Sequence, residues 1–280
     1  MIPFTKAHAC GNDFLLIEET HAHRRHAELA RKLCARNTGI GADGIEFLER
    51  RPDGTPFLRL FNADGSEAEL SGNGTRCVAA WLAQSEGLQE VTLLTHGGPR
   101  ICRVVESTPP TYLIETDMGL PRVMPRTIAL PGIGNVEGAM VNMGNPHFVL
   151  FVDSKNSEDA KDPPKDPDDF TAHNLPWQQL GEIIATSPLF PHGTNVEFVR
   201  ILSPTEIAFR IYERGCGPTT SSGTGTCASS AAAMALRHTA RSLIANAQGG
   251  PQRTSWPDAA SPMHLTGPAE IICIGEAGDL

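Results

Sequence analysis

Apolar positions along this chain recur with two periods. Phe57 to Phe61, Val91 to Thr95, Ile101 to Val105 and Tyr112 to Thr116 alternate apolar and polar residues, the pattern of a half-buried strand. Val196 to Ile201, Ile207 to Tyr212 and Ala269 to Ile274 read the same way. His26 to Arg36 carries Leu29, Ala30, Leu33 and Cys34 at helical spacing, and Trp177 to Ala185 carries Trp177, Leu180, Ile183 and Ile184. Cys77 to Ala83 and Cys227 to Leu236 are two further helices, each after a glycine-rich entry. Strands outnumber helices and do not alternate strictly with them. That order argues against a doubly wound parallel sheet and predicts an α+β fold in two similar mixed or antiparallel halves.

Two pairs of matching segments support the halves. Gly11-Asn12-Asp13-Phe14 and Gly144-Asn145-Pro146-His147 each read as a turn entering a strand. Ser71-Gly72-Asn73-Gly74-Thr75 and Ser222-Gly223-Thr224-Gly225-Thr226 each open an alanine-rich helix, and a polar residue, Asn62 or Glu213, stands nine positions before each serine. The expected division is 1–120 with a returning C-terminal strand at about 266–280, and 121–265, with the junction near Leu120 to Pro125. Ser154 to Thr171, rich in Lys, Asp and Pro, reads as a solvated surface loop, and Gly249 to Pro262 as a second loop.

Bulk properties narrow the function. A length of 280 residues suits two domains, and a formal charge of −9 argues against a nucleic-acid partner. No apolar run reaches the ~18 residues of a membrane span. The first residues lack the pattern of a signal peptide. The seven cysteines include no C-x-x-C pair, so a disulfide framework and a zinc site are both poorly supported. A cytoplasmic enzyme with reduced thiols is the simplest account. Gly39-Ile40-Gly41-Ala42-Asp43-Gly44 matches G-x-G-x-x-G, but a helix precedes it and a strand follows, the reverse of a dinucleotide site. His21, His23 and His26 sit among charged residues and read as a solvated face. No cofactor or metal is expected.

The candidate chemistry has plainer alternatives. A serine before glycine at a helix start is a common N-cap, and the glycines serve tight turns. His147 reads as a buried, hydrogen-bonded histidine or as an acid–base group. Glu213 and Arg214 read as a surface ion pair or, in a turn, as a pair reaching one cavity. Duplication of the serine loop, with matching polar residues upstream, favours two helix N-termini converging on one anion.

The motifs resemble the diaminopimelate epimerase family of cofactor-independent amino-acid racemases. The resemblance runs through Gly11-Asn12-Asp13-Phe14, Gly41-Ala42-Asp43-Gly44, Phe61-Asn62-Ala63-Asp64-Gly65, Gly72-Asn73-Gly74-Thr75-Arg76-Cys77, Met143-Gly144-Asn145-Pro146-His147, Gly193-Thr194-Asn195-Val196-Glu197-Phe198, Glu213-Arg214-Gly215 and Gly223-Thr224-Gly225. It implies two pseudo-symmetric α/β halves with the site in the cleft between them. It also implies a two-base proton exchange at an α-carbon without pyridoxal phosphate, interconverting LL- and meso-diaminopimelate in lysine biosynthesis. The family's two catalytic cysteines precede the Gly-Asn-Gly and Gly-Thr-Gly runs, and here those positions are Ser71 and Ser222.

By the same resemblance, His147 and Glu213 tune the two base positions. Gly72, Asn73, Gly223 and Thr224 offer backbone N–H groups to the reacting carboxylate. Arg214 pairs the distal carboxylate, and Asn12, Asn62, Asn145 and Asn195 fix the distal amino-acid group. Cys10 and Cys216 read either as stand-in thiols or as small buried hydrophobes, and Cys77 and Cys227 as packing residues. The expected partner is a small amino-acid substrate, and a homodimer is an allowed assembly.

Three accounts of the serines stay open: an epimerase that runs on hydroxyls, a paired Cys→Ser change that traps substrate, or a relative that binds, epimerises or dehydrates another amino acid such as hydroxyproline. Arg214 speaks against a substrate with one carboxylate.

Overall fold

The computed structural model describes residues 1–152 and 169–278, so most of the expected 154–171 loop lies outside the described residues. The chain divides into two compact units. Unit 1 is Met1–Met118 with His264–Leu280, and unit 2 is Gly119–Met263.

Unit 1 holds strands β1 (Ile2–Ala9), β2 (Asn12–Glu18), β3 (Gly44–Arg50), β4 (Pro56–Asn62), β5 (Glu67–Ala68), β6 (Glu90–Thr95), β7 (Gly98–Thr108) and β8 (Thr111–Asp117). It also holds helices α1 (His26–Leu33) and α2 (Gly72–Glu86), and the last strand, β17 (His264–Ala277). Eight of its strands close a ring in the order β1-β2-β3-β4-β6-β7-β8-β17. The pairings β2–β3 and β4–β6 are parallel and the rest antiparallel. Helix α2 packs against β1, β2, β6, β7, β8 and β17. A helix enclosed on all sides needs short side chains, and Gly72–Ala80, all buried, is mostly Gly, Ala, Thr and Cys. Gly87, at φ 72°, ends it in the left-handed conformation that glycine adopts without strain.

Unit 2 holds β9 (Arg122–Leu130), β10 (Gly134–Asn142), β11 (Pro146–Phe151), α3 (Trp177–Ala185), β12 (Asn195–Ser203), β13 (Glu206–Glu213), β14 (Gly217–Thr219), α4 (Gly223–Leu236), β15 (Ser242–Ala247) and β16 (Gly250–Ser255). Its pairing repeats that of unit 1. From β10 to β16 the neighbours run antiparallel, parallel, antiparallel, parallel, antiparallel, as they do from β1 to β7. Helix α4 packs against β9, β10, β11, β12, β13, β15 and β16, and its Ala- and Ser-rich turns are buried all round.

Several expectations are corrected. Within the expected Gly249–Pro262 loop, residues 250–255 form β16, where Gln252 and Thr254 point inward and Pro251 and Arg253 outward. Polar residues on the inner face hid the alternation. Strands β1, β9, β10 and β15 were not read from the pattern for the same reason of irregular alternation. The expected junction near 120–125 overlaps β9, and the division falls between Met118 and Gly119. Helix α1 stops at Leu33, and α2 and α4 begin at Gly72 and Gly223, ahead of the expected Cys77 and Cys227, because the serine caps stand before the glycines.

Candidate active site

The two serine loops have the same local geometry. Ser71 and Ser222 both sit in extended backbone, at φ −121° and −143°. Each hydroxyl accepts the backbone N–H three residues on, from Gly74 at 3.0 Å and from Gly225 at 3.2 Å. Both are therefore N-caps, the plainer reading of the motif, and each satisfies one of the orphan donors of a helix start. The following residues, Gly72 and Asn73 in one loop and Gly223 and Thr224 in the other, form the first turns of α2 and α4, where the helix macrodipole favours an anion.

In unit 2 the candidates form one connected network. His147, 1% exposed at the start of β11, places Nδ1 2.6 Å from Glu197 Oε1 and Nε2 2.9 Å from Asn145 Oδ1. An amide oxygen only accepts, so Nε2 donates, and one proton is shared between Nδ1 and Oε1. Asn145 in turn donates to Thr224 Oγ1 at 3.3 Å. Glu213, the last residue of β13, accepts the Thr219 hydroxyl at 2.6 Å and is hydrogen-bonded to Ser222. Burial pushes the Glu213 carboxyl above its ordinary value, and the charge of Glu197 adds to this. Burial likewise raises Glu197, and the adjoining His147 partly offsets it. Asn195 Oδ1 accepts the backbone N–H of Arg214 at 2.9 Å, and the exposed Arg214 guanidinium donates to the His192 carbonyl.

Unit 1 gathers a different set. Asn73 donates to Asn12 Oδ1 at 3.1 Å, and Asn12 donates to Asp43 Oδ2 at 2.7 Å. The fully buried Arg76 holds Asn73 Oδ1 at 2.6 Å and the Gly72 carbonyl at 3.1 Å. Asn62 donates to Ser66 at 3.0 Å. Ser71 lines a small cavity with Glu69, Thr75, Thr95 and Glu46.

Of the cysteines, Cys10, Cys77 and Cys227 are buried, whereas Cys216 is exposed rather than packed. Burial drives the Cys77 thiol well above its ordinary value, which makes it a poor source of thiolate. His26 is not on a solvated face: it is 7% exposed, stacked on Phe61 at 5.1 Å and bonded to Glu19. No group of three or more metal-ligating side chains occurs among the described residues, and no helix there is long and apolar enough to cross a membrane.

Glu46 and Glu197 were not singled out from the sequence. A signal was present: each is a lone carboxylate inside an apolar strand, Ile45-Glu46-Phe47 and Val196-Glu197-Phe198. They occupy matching positions, pairing with Leu16 of β2 and Val149 of β11. Each carboxyl lies against the third residue of the following helix entrance. A Cβ on Gly74 would overlap Glu46 Oε1, and one on Gly225 would stand 3.1 Å from Glu197 Oε1.

Comparison with known proteins gives a consistent result. The family model described as diaminopimelate epimerase matches residues 4–124 and 139–272. A diaminopimelate epimerase of Pelotomaculum thermopropionicum is 35% identical over 291 residues, covering 98% of each chain. One from Desulforudis audaxviator is 36% identical over 294 residues, again covering 98% of each. Among solved structures, a hydroxyproline epimerase from Agrobacterium vitis superposes with a TM-score of 0.68 at 13% identity, over 98% of this chain and 91% of that one. A phenazine biosynthesis protein of Bacillus anthracis does so with a TM-score of 0.68 at 13% identity, over 99% of both. At such identities these two likenesses concern the fold alone.

Proposed function

The chain belongs to the diaminopimelate epimerase family, and on that premise we propose that it interconverts LL- and meso-diaminopimelate, in lysine biosynthesis, by proton exchange at the α-carbon. What supports this reading is the pair of serine-capped helix entrances, one in each unit, within a chain that matches the family along nearly its whole length. In this reading the backbone N–H groups of Gly72, Asn73, Gly223 and Thr224 hold the reacting carboxylate, each helix terminus contributing roughly 0.3–2 kcal/mol. Arg214 pairs the distal carboxylate through a charge-assisted bond, and Asn12, Asn62, Asn145 and Asn195 orient the distal amino-acid group.

The base positions are Ser71 and Ser222. A hydroxyl is a far weaker acid than a thiol, which titrates at about 8.5, and it needs an adjacent base. Ser222 has one: Glu213 receives the hydroxyl proton as the serine oxygen receives the α-hydrogen as a proton, and the electron pair stays on the α-carbon and its carboxylate. Burial raises the Glu213 carboxyl most, and the charges of Glu197 and His147 adjust it in opposite directions. Ser71 supplies the proton on the opposite face and is the weaker of the two groups.

The test is proton NMR of LL-diaminopimelate with the purified protein in D₂O. The expected outcome is slow loss of the α-proton signal with appearance of the meso isomer. Replacing each serine by cysteine, Ser71→Cys and Ser222→Cys, is expected to raise the rate by ~10²- to 10⁴-fold per group. A wild-type chain that leaves the α-hydrogen untouched overturns the proposed activity, and line broadening without exchange would mark an amino-acid binder instead.

A further inference from the structure

Glu46 has no place in the scheme above, yet its environment is unusual. Its side chain is 1% exposed, and its Oε1 finds no hydrogen-bond partner among the described residues. It lies directly beneath Gly74, in the first turn of α2, and shares a cavity with Ser71. In unit 2 the matching carboxyl, Glu197, has His147 beside it. The residue of unit 1 at the place of His147 is Phe14, which offers no proton and no charge. Elsewhere around Glu46 the paired neighbours on β2 and β4 are Leu16 and Leu60, and β6 presents Thr95. The titratable or charged groups on the elements packed against it are the exposed Glu69, whose loop lines the same cavity, and Cys77 and Arg76 of α2, the last engaged with Gly72 and Asn73.

We propose that Glu46 is a positioning residue that gates the anion-holding turn of α2: neutral, it leaves the positive end of that helix to the substrate carboxylate, and ionised, it cancels that field. This rests on the function proposed above. The physical reason is proximity. A carboxylate against the first turn of a helix competes with any external anion for the positive end of the macrodipole, and a buried one is poorly screened. Burial alone raises the Glu46 carboxyl to about 8, so the neutral form prevails at neutral pH and the charge arrives in mildly alkaline solution. Unit 2 lacks this behaviour, because His147 shares a proton with Glu197 and compensates its charge.

The experiment compares the KM for diaminopimelate of wild type and Glu46→Gln across pH 6.5–9.5, by α-proton exchange. The ratio of wild-type to variant KM is expected to be flat at the acid end and then to climb, approaching about tenfold per pH unit once the carboxyl is mostly ionised. Titration of the substrate's own amino groups affects both proteins and leaves the ratio unchanged. A ratio that stays flat, with both proteins active, overturns the gate and leaves the proposed function standing. Absence of exchange by wild type at every pH overturns the proposed function, and the gate with it.

Discussion

Units 1 and 2 present the same helix entrance in two electrostatic settings. The backbone repeats, the serine cap repeats, and a buried glutamate stands under the third helical residue in both. The difference is the neighbour. Unit 2 gives its glutamate His147, which shares a proton with it and is bonded in turn to Asn145, and Glu213 lies close enough to feel its charge. Unit 1 gives the Glu46 carboxyl no imidazole, only leucines and the hydroxyls and carboxylate that line its cavity, and places its polar contacts at Asn73, Asn12, Asp43 and Arg76. A duplicated scaffold thus carries a histidine–carboxylate network in one unit and an asparagine–arginine array in the other. The helix entrance is shared, and the neighbours around it are not.

The sharpest way to break this contrast is to make one side imitate the other. His147→Leu leaves Glu197 as an unpaired buried carboxyl, as Glu46 is, and is expected to cost about 3–5 kcal/mol in urea unfolding at neutral pH. Glu46→Gln should do the opposite. The folded-state pKa of Glu46, about 8, lies above the ordinary 4.5, so stability held by its proton is full below 4.5 and is lost as pH rises toward 8. The variant should therefore gain on wild type across that window and run parallel to it above. An offset independent of pH would mean that the carboxyl is not held neutral.

A second comparison uses the glycines. Gly74→Ala brings a methyl group onto Glu46 Oε1, whereas Gly225→Ala approaches the Ile211 Cδ1 methyl less closely. The expected cost at Gly74 is about 1–3 kcal/mol, with a smaller one at Gly225. Adding Glu46→Ala should relieve the first, and a double-mutant cycle that shows no coupling would contradict the contact.

The smallest effects concern the caps. Ser71→Ala and Ser222→Ala should each lose about 0.5–2 kcal/mol of thermal stability. The Ser222 variant should lose more, because it also deprives Glu213 of a hydrogen-bond partner. Equal losses would show that this contact contributes nothing to the fold.

Much of the molecule was readable along the chain because the relevant forces are local. Trp177–Ala185 emerges with the expected bounds, since one apolar stripe and a proline entry specify it. The serine caps, the glycine runs and their duplication are likewise visible as short-range patterns, and they carry the family resemblance. What escaped depends on neighbours far away in sequence. Polar Gln252 and Thr254 turn inward because α4 lies behind them, and no alternation of apolar residues marks such a strand. Glu46 and Glu197 look alike as letters. Only the packed strands decide that one carboxyl meets an imidazole two positions along the adjacent strand, whereas the equivalent position beside the other is a phenylalanine, because burial and proton sharing arise where three segments come together rather than within any one of them.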